Sequence, residues 1–291
     1  MPVYQLQNTS LSVKVNSFGA ELCSVVSADS AIEYIWQADP SVWARHAPNL
    51  FPVVGKLKDD TYHYQSQSYH LPQHGFARDS EFICVEQTGN ALVFELPANA
   101  ETLARFPFHF NFQVSYTLTD NLLQVSYSVF NPDNYDLYFS VGAHPAFNCP
   151  LTSDEQFEDY KLLFPLKDQL EIHKLNGGLI SRHTRQIPLD KNSLAVNKAL
   201  FENDALVLMN SQIDEVKLVS GKTGHGVLMK AANWPYFGIW TKKDTGRFVC
   251  LEPWYGIADR DDSDGELQHK TGIIKLKAEE RFQCSFDISF F

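Results

Sequence analysis

Phe112-Gln113-Val114-Ser115-Tyr116-Thr117-Leu118, then Thr119-Asp120-Asn121, then Leu123-Gln124-Val125-Ser126-Tyr127-Ser128-Val129 decide the fold of this chain. Apolar residues take every second position on both sides of a short polar connection. A period of two buries one face of a strand and leaves the other wet, and a connection this short closes an antiparallel hairpin. Leu11-Ser12-Val13-Lys14-Val15 alternates in the same way. Further strands are expected at 92–96, 137–142, 161–164, 205–210, 215–219, 226–230, 236–240, 247–251 and 281–288. Asn176-Gly177-Gly178 and Thr223-Gly224-His225-Gly226 supply turns between them. No stretch of a dozen residues holds a 3.6 period. Helix is therefore expected only as single or double turns, at Pro40 to Arg45, Asn99 to Arg105 and Asn192 to Phe201. Nothing resembles an internal repeat or an interdomain linker. The reading is one all-β domain over 1–291, a large antiparallel β-sandwich with few short helices.

Composition agrees. Of 291 residues 44% are hydrophobic, with 21 Phe and 12 Tyr, enough for a large core weighted toward strand formers. A formal net charge of -11 repels polyanions and argues against nucleic acid as a partner. The five cysteines, Cys23, Cys84, Cys149, Cys250 and Cys284, are odd in number and form no CxxC pair. They are expected to be reduced and packed as small hydrophobes. Met1-Pro2-Val3-Tyr4 carries no leader pattern, and no apolar run approaches the roughly 20 residues that span a bilayer. The cytosol is the expected compartment and no membrane partner is expected.

Chemistry concentrates in three polar clusters: His74-Gly75-Phe76-Ala77-Arg78-Asp79, Gly142-Ala143-His144-Pro145-Ala146-Phe147-Asn148 and Leu251-Glu252-Pro253-Trp254-Tyr255-Gly256. They offer two imidazoles and a carboxylate, a general acid and a general base in one chain. His74 follows Pro72-Gln73 and is expected at a turn. His144 and Glu252 each follow a strand and precede a proline, which suggests strand termini aimed outward. Aromatic residues interleaved with the clusters suit the apolar faces of a sugar ring. Trp43, Trp234, Trp240 and Trp254 are candidate walls, and Trp254, beside Glu252, is the preferred one. The acidic stretch Asp259-Arg260-Asp261-Asp262-Ser263-Asp264 reads as a solvated loop.

These segments, with Ser17-Phe18-Gly19-Ala20-Glu21-Leu22, Pro48-Asn49-Leu50-Phe51-Pro52-Val53-Val54-Gly55 and Phe201-Glu202-Asn203-Asp204-Ala205-Leu206, resemble the aldose 1-epimerase (galactose mutarotase) family in its LacX-like branch. The resemblance covers nearly the whole chain. It implies a β-sandwich whose concave sheet carries the site, and anomer interconversion of a hexose by ring opening without metal or organic cofactor. It implies Glu252 as base, His144 as acid, His74 as a donor near the ring oxygen and Asp204 as a ligand of sugar hydroxyls. The family arginine aligns with Gly55-Lys56-Leu57, where this chain has Lys56, a point charge in place of a planar fork. Arg78 is the alternative, because HGFAR also resembles hexose-6-phosphate epimerases, which hold a phosphate with arginines. An unphosphorylated sugar is preferred.

Two other readings stay open at this stage. The same sandwich could bind a sugar without turning it over, or His74, His144 and Glu252 could form a His₂-carboxylate metal set. The absence of a GxSxG elbow and of a glycine-rich phosphate loop argues against a serine hydrolase and against nucleotide chemistry.

Overall fold

The computed structural model describes all 291 residues. Two antiparallel sheets stack face to face. The larger has nine strands, in the order Ser193–Ala195, Tyr160–Leu163, Glu215–Ser220, Gly226–Lys230, Arg281–Phe290, Leu122–Phe130, Asn111–Thr119, Ala91–Pro97 and Ile83–Gln87. The quoted hairpin lies inside it, with Val125 opposite Tyr116 and Tyr127 opposite Val114. The second sheet runs Leu179–Pro188, Gln169–Asn176, Leu206–Met209, Tyr236–Trp240, Phe248–Tyr255, Val141–Ala143 and Asn49–Leu50, and Ala146–Asn148 also pairs with Phe248–Tyr255. A continuous core from Leu6 to Phe290 fills the space between the sheets.

The strand Phe248–Tyr255 shows how the second sheet carries chemistry. Val249 and Leu251 enter the main core, whereas Phe248, Cys250 and Trp254 join small apolar clusters on the opposite face. Glu252 shares that opposite face because successive side chains alternate. The strand does not end at Leu251, as its sequence suggested. It runs on through Glu252 and Pro253, with Glu252 opposite Gly238 and Pro253 opposite Phe237. Pro253 lacks one ladder donor, yet neighbours on both sides of this strand keep it in register.

Other boundaries differ for local reasons. The expected strand at 137–142 splits into Leu137–Phe139 and Val141–Ala143, which pair in different sheets, and the Ser140 N–H between them donates to the Pro52 carbonyl at 2.7 Å. The one α-helix is Ala100–Arg105, capped by the Asn99 side chain, which accepts from the Glu101 and Thr102 N–H groups. Asn192 to Phe201 holds a strand, Ser193–Ala195, and a 3₁₀ turn, Lys198–Phe201. Pro40 to Arg45 makes turns without a helix. No helix is long and apolar enough to cross a membrane.

Candidate active site

The second sheet, with the loops beside it, forms a hollow of about 380 Å³ lined by residues from every polar cluster singled out above. His74, Arg78, His144, Asp204, Glu252 and Trp254 all reach it. His144 Nε2 and Glu252 Oε2 lie 3.1 Å apart, and each side chain is at least nine-tenths buried.

Local structure fixes each group. The His144 N–H donates to the Pro48 carbonyl at 3.1 Å, just past the strand Val141–Ala143. His74 has a left-handed backbone, φ +67°, a conformation that costs a non-glycine residue on the order of 1 kcal/mol. Gly55 offsets that cost twice. Its carbonyl accepts the His74 N–H at 2.9 Å, and its own N–H donates to His74 Nδ1 at 3.1 Å. A ring that accepts at Nδ1 carries its proton at Nε2 when neutral, so His74 offers a fixed N–H donor.

Electrostatics in the hollow follow from burial. Desolvation drives the Glu252 carboxyl well above the usual carboxylate range, the Asp204 carboxylate adds to this, and the Trp254 indole opposes it. Desolvation pushes His144 down to about 3, with Arg78 and Arg45 acting in the same direction. His74 is held well below its ordinary value by burial, then by His144 and the two arginines. The His144–Glu252 pair therefore holds one proton between its members over a wide pH range. That proton can sit on either partner without changing the net charge.

Trp254 forms the floor. Its indole lies across Gly142 and Gly238 of the flanking strands, which face Trp254 and Glu252 in register. A Cβ at Gly238 would fall 2.4 Å from the indole, and one at Gly142 2.6 Å from it. The side walls are Trp43 and Trp240, which sequence reading left among several candidates. Trp234 packs in the main core, and its N–H donates to the Ser285 carbonyl at 2.9 Å.

Two expectations change. Lys56 does not reach the hollow. Its ammonium donates to the Gly177 carbonyl at 3.4 Å and its stem packs on Gly178, propping the hairpin of Gln169–Asn176 and Leu179–Pro188 from behind. Leu175, Gly178 and Ile180 of that hairpin form a wall that no sequence feature marked. Asp259 is not solvated either. It is buried, accepts from Lys270 Nζ at 2.8 Å and from the Lys58 N–H at 3.0 Å, and so ties down the loop that presents Ile257 and Ala258. Lys270 Nζ also donates to the Ile257 carbonyl at 2.6 Å.

Arg78 faces the hollow but is partly engaged. One terminal N–H donates to the Gln73 carbonyl at 2.7 Å, and Nε lies 3.7 Å from Asp79. The guanidinium thus braces the loop that carries His74. As for metal, His144 and Glu252 group with Cys250 rather than with His74, their donor atoms lying within 4.8 Å of one another. Zinc bonds of about 2.0–2.3 Å bridge donors only about 4.5 Å apart even in line, so this set would have to contract to hold such an ion. Its thiol is sealed from solvent, and burial holds it well above the ordinary thiol range.

Comparison with known proteins identifies the family and the fold. The family model for aldose 1-epimerase matches residues 2–273. The chromosomal LacX protein of Lactococcus lactis is 32% identical over 98% of both chains. A galactose mutarotase related enzyme from Lactobacillus acidophilus superposes with a TM-score of 0.96 at 38% identity, over 100% of this chain and 97% of that one. A galactose mutarotase-like protein from Lactobacillus casei gives 0.91 at 31%, over 100% of each. With a β-sandwich of the mutarotase type and a family match over most of its length, this chain belongs to the aldose 1-epimerase family.

Proposed function

We propose that the protein interconverts the α and β anomers of an unphosphorylated hexose, with Glu252 as base, His144 as acid and His74 as a donor beside the ring oxygen. The observation that carries this reading is the 3.1 Å approach of His144 Nε2 to Glu252 Oε2 in an open hollow. The C1 hydroxyl and the ring oxygen share one carbon, so the groups that serve them must stand side by side.

The proton balance closes. Ionised Glu252 takes the C1 hydroxyl proton while the His144 imidazolium protonates the ring oxygen. The C1–O5 bond breaks and leaves an aldehyde, a protonated carboxyl and a neutral imidazole. Rotation about C1–C2 and the reverse transfers close the ring on the other face. Burial favours the neutral pair, so the reactive ion pair forms when the shared proton passes from Glu252 to His144, and the neutral pair returns as the ring opens.

Charge in the hollow supports a neutral sugar. Arg78 and the exposed Lys242 are its cations, Asp204 stands against them, and Arg78 already spends part of its donor set on Gln73. The test is anomer exchange by NMR on a panel of hexoses with and without a 6-phosphate. Glu252→Gln and His144→Asn should each slow exchange at least about 10²-fold while leaving the fold intact. Saturable binding with exchange no faster than buffer would overturn the catalytic reading in favour of a sugar-binding protein.

A further inference from the structure

The His144 imidazole has an aromatic partner on its face. The Trp43 ring lies over it with centroids 5.1 Å apart and planes 29° apart, while Trp240 meets it edge-on at 5.6 Å and 84°. Trp43 is held from several sides. It stacks on Phe248 at 5.4 Å, abuts Trp240 at 5.5 Å, and its carbonyl accepts the Trp36 indole N–H at 2.8 Å. Its loop is pinned where Glu21 accepts the N–H groups of His46 and Ala47 at 2.9 and 3.0 Å.

An indole face is electronegative and attracts a cation within about 6 Å of its centroid. The imidazolium gains from such a face, and the neutral ring does not. Ring opening needs the imidazolium in a place where burial disfavours it. We infer that Trp43 is a positioning residue for His144: its stacked indole fixes the imidazole plane and stabilises the protonated ring. This inference rests on the acid role proposed for His144.

The other groups facing the ring divide by sign. Glu252 at 3.1 Å favours the cation. His74, at 5.6 Å between ring centroids, and the Arg78 and Arg45 guanidinium groups oppose it, or add nothing while His74 is neutral. Cys250 is a neutral thiol, and the edge of Trp240 presents the positive rim of its quadrupole. Trp43 and Glu252 are thus the favourable side-chain neighbours, and the backbone of His144 itself adds a favourable contact.

The experiment compares wild type, Trp43→Leu and Trp43→Phe, with histidine labelled in ¹⁵N. Ring-nitrogen shifts of His144 from pH 2 to 6, a range that spans its depressed titration, report its protonated fraction without sugar, and kcat and KM for anomer exchange are followed from pH 4 to 9. Trp43→Leu should lower the protonated fraction, and with it kcat, roughly tenfold, in addition to any change in KM from the lost wall. Trp43→Phe keeps an aromatic face and should recover most of both. A KM raised tenfold at unchanged kcat would leave Trp43 a sugar wall alone and overturn the inference. So would His144 shifts that are the same in the folded leucine variant as in wild type. If the wild type shows no anomer exchange, the epimerase reading fails by itself, and the nitrogen shifts still decide the stack.

Discussion

Replacing Gly238 by alanine tests the floor of the hollow directly. The new Cβ would stand 2.4 Å from Cη2 and 2.5 Å from Cζ2 of Trp254, where carbon atoms rest about 3.5–4.0 Å apart. The indole must therefore move by roughly 1 Å. Its own strand is paired on both sides, so it can only tilt up into the hollow. Gly238 sits mid-strand with an ordinary extended backbone, so this contact is the source of the cost. Overpacking of this kind costs about 1–3 kcal/mol, and at about 2–4 °C per kcal/mol the melting temperature should fall by roughly 2–12 °C. The raised floor should also increase KM for the sugar more than about tenfold, a loss near 1.4 kcal/mol. Calorimetry and NMR anomer exchange on the same preparations measure both effects. Gly89→Ala, where nothing lies within 4 Å of the added carbon, is the control and should move the melting temperature by less than about 2 °C. A Gly238→Ala protein with wild-type stability and KM would refute the wedged indole.

Lys56→Ala should leave KM within about twofold, since its ammonium turns to Gly177; a tenfold rise would return it to the sugar site. Lys270→Met should cost about 3–5 kcal/mol in denaturant unfolding by leaving Asp259 buried and unpaired, and replacing Asp259 by leucine as well should recover most of it. The buried pair also gives opposite pH slopes. His144, depressed in the fold, contributes stability that is present above its unfolded value near 6.5 and is lost as pH falls toward about 3, so His144→Asn should flatten the acid side of the unfolding profile. Glu252, raised in the fold, contributes stability that is complete below about 4.5 and is lost as pH rises. Glu252→Gln should therefore gain on wild type with rising pH, and parallel profiles would contradict the burial argument.

The alternation at Phe112–Leu118 and Leu123–Val129 announced the sandwich because each of those strands has one face in the core and one toward solvent. Phe248–Tyr255 was harder to delimit, since it is covered on both faces and its pattern is an unbroken apolar run with a carboxylate and a proline inside. Sequence located Glu252 and His144 but not their shared face, which depends on pairing between segments about a hundred residues apart. The same is true of the Trp43 wall, of the Lys56 prop and of Asp259, whose partner Lys270 stands outside the acidic stretch. A lysine or aspartate looks alike in sequence whether it faces water or a buried partner. Only the fold supplies the difference.

The His144–Glu252 pair has a consequence for the conditions under which such a catalyst works. Dissolved ions weaken fields between exposed charges over a screening distance of about 10 Å at 0.1 M, but they act little on a largely buried pair whose charges sum to zero before and after each transfer. The chemical step should run as fast in concentrated brine as in dilute buffer.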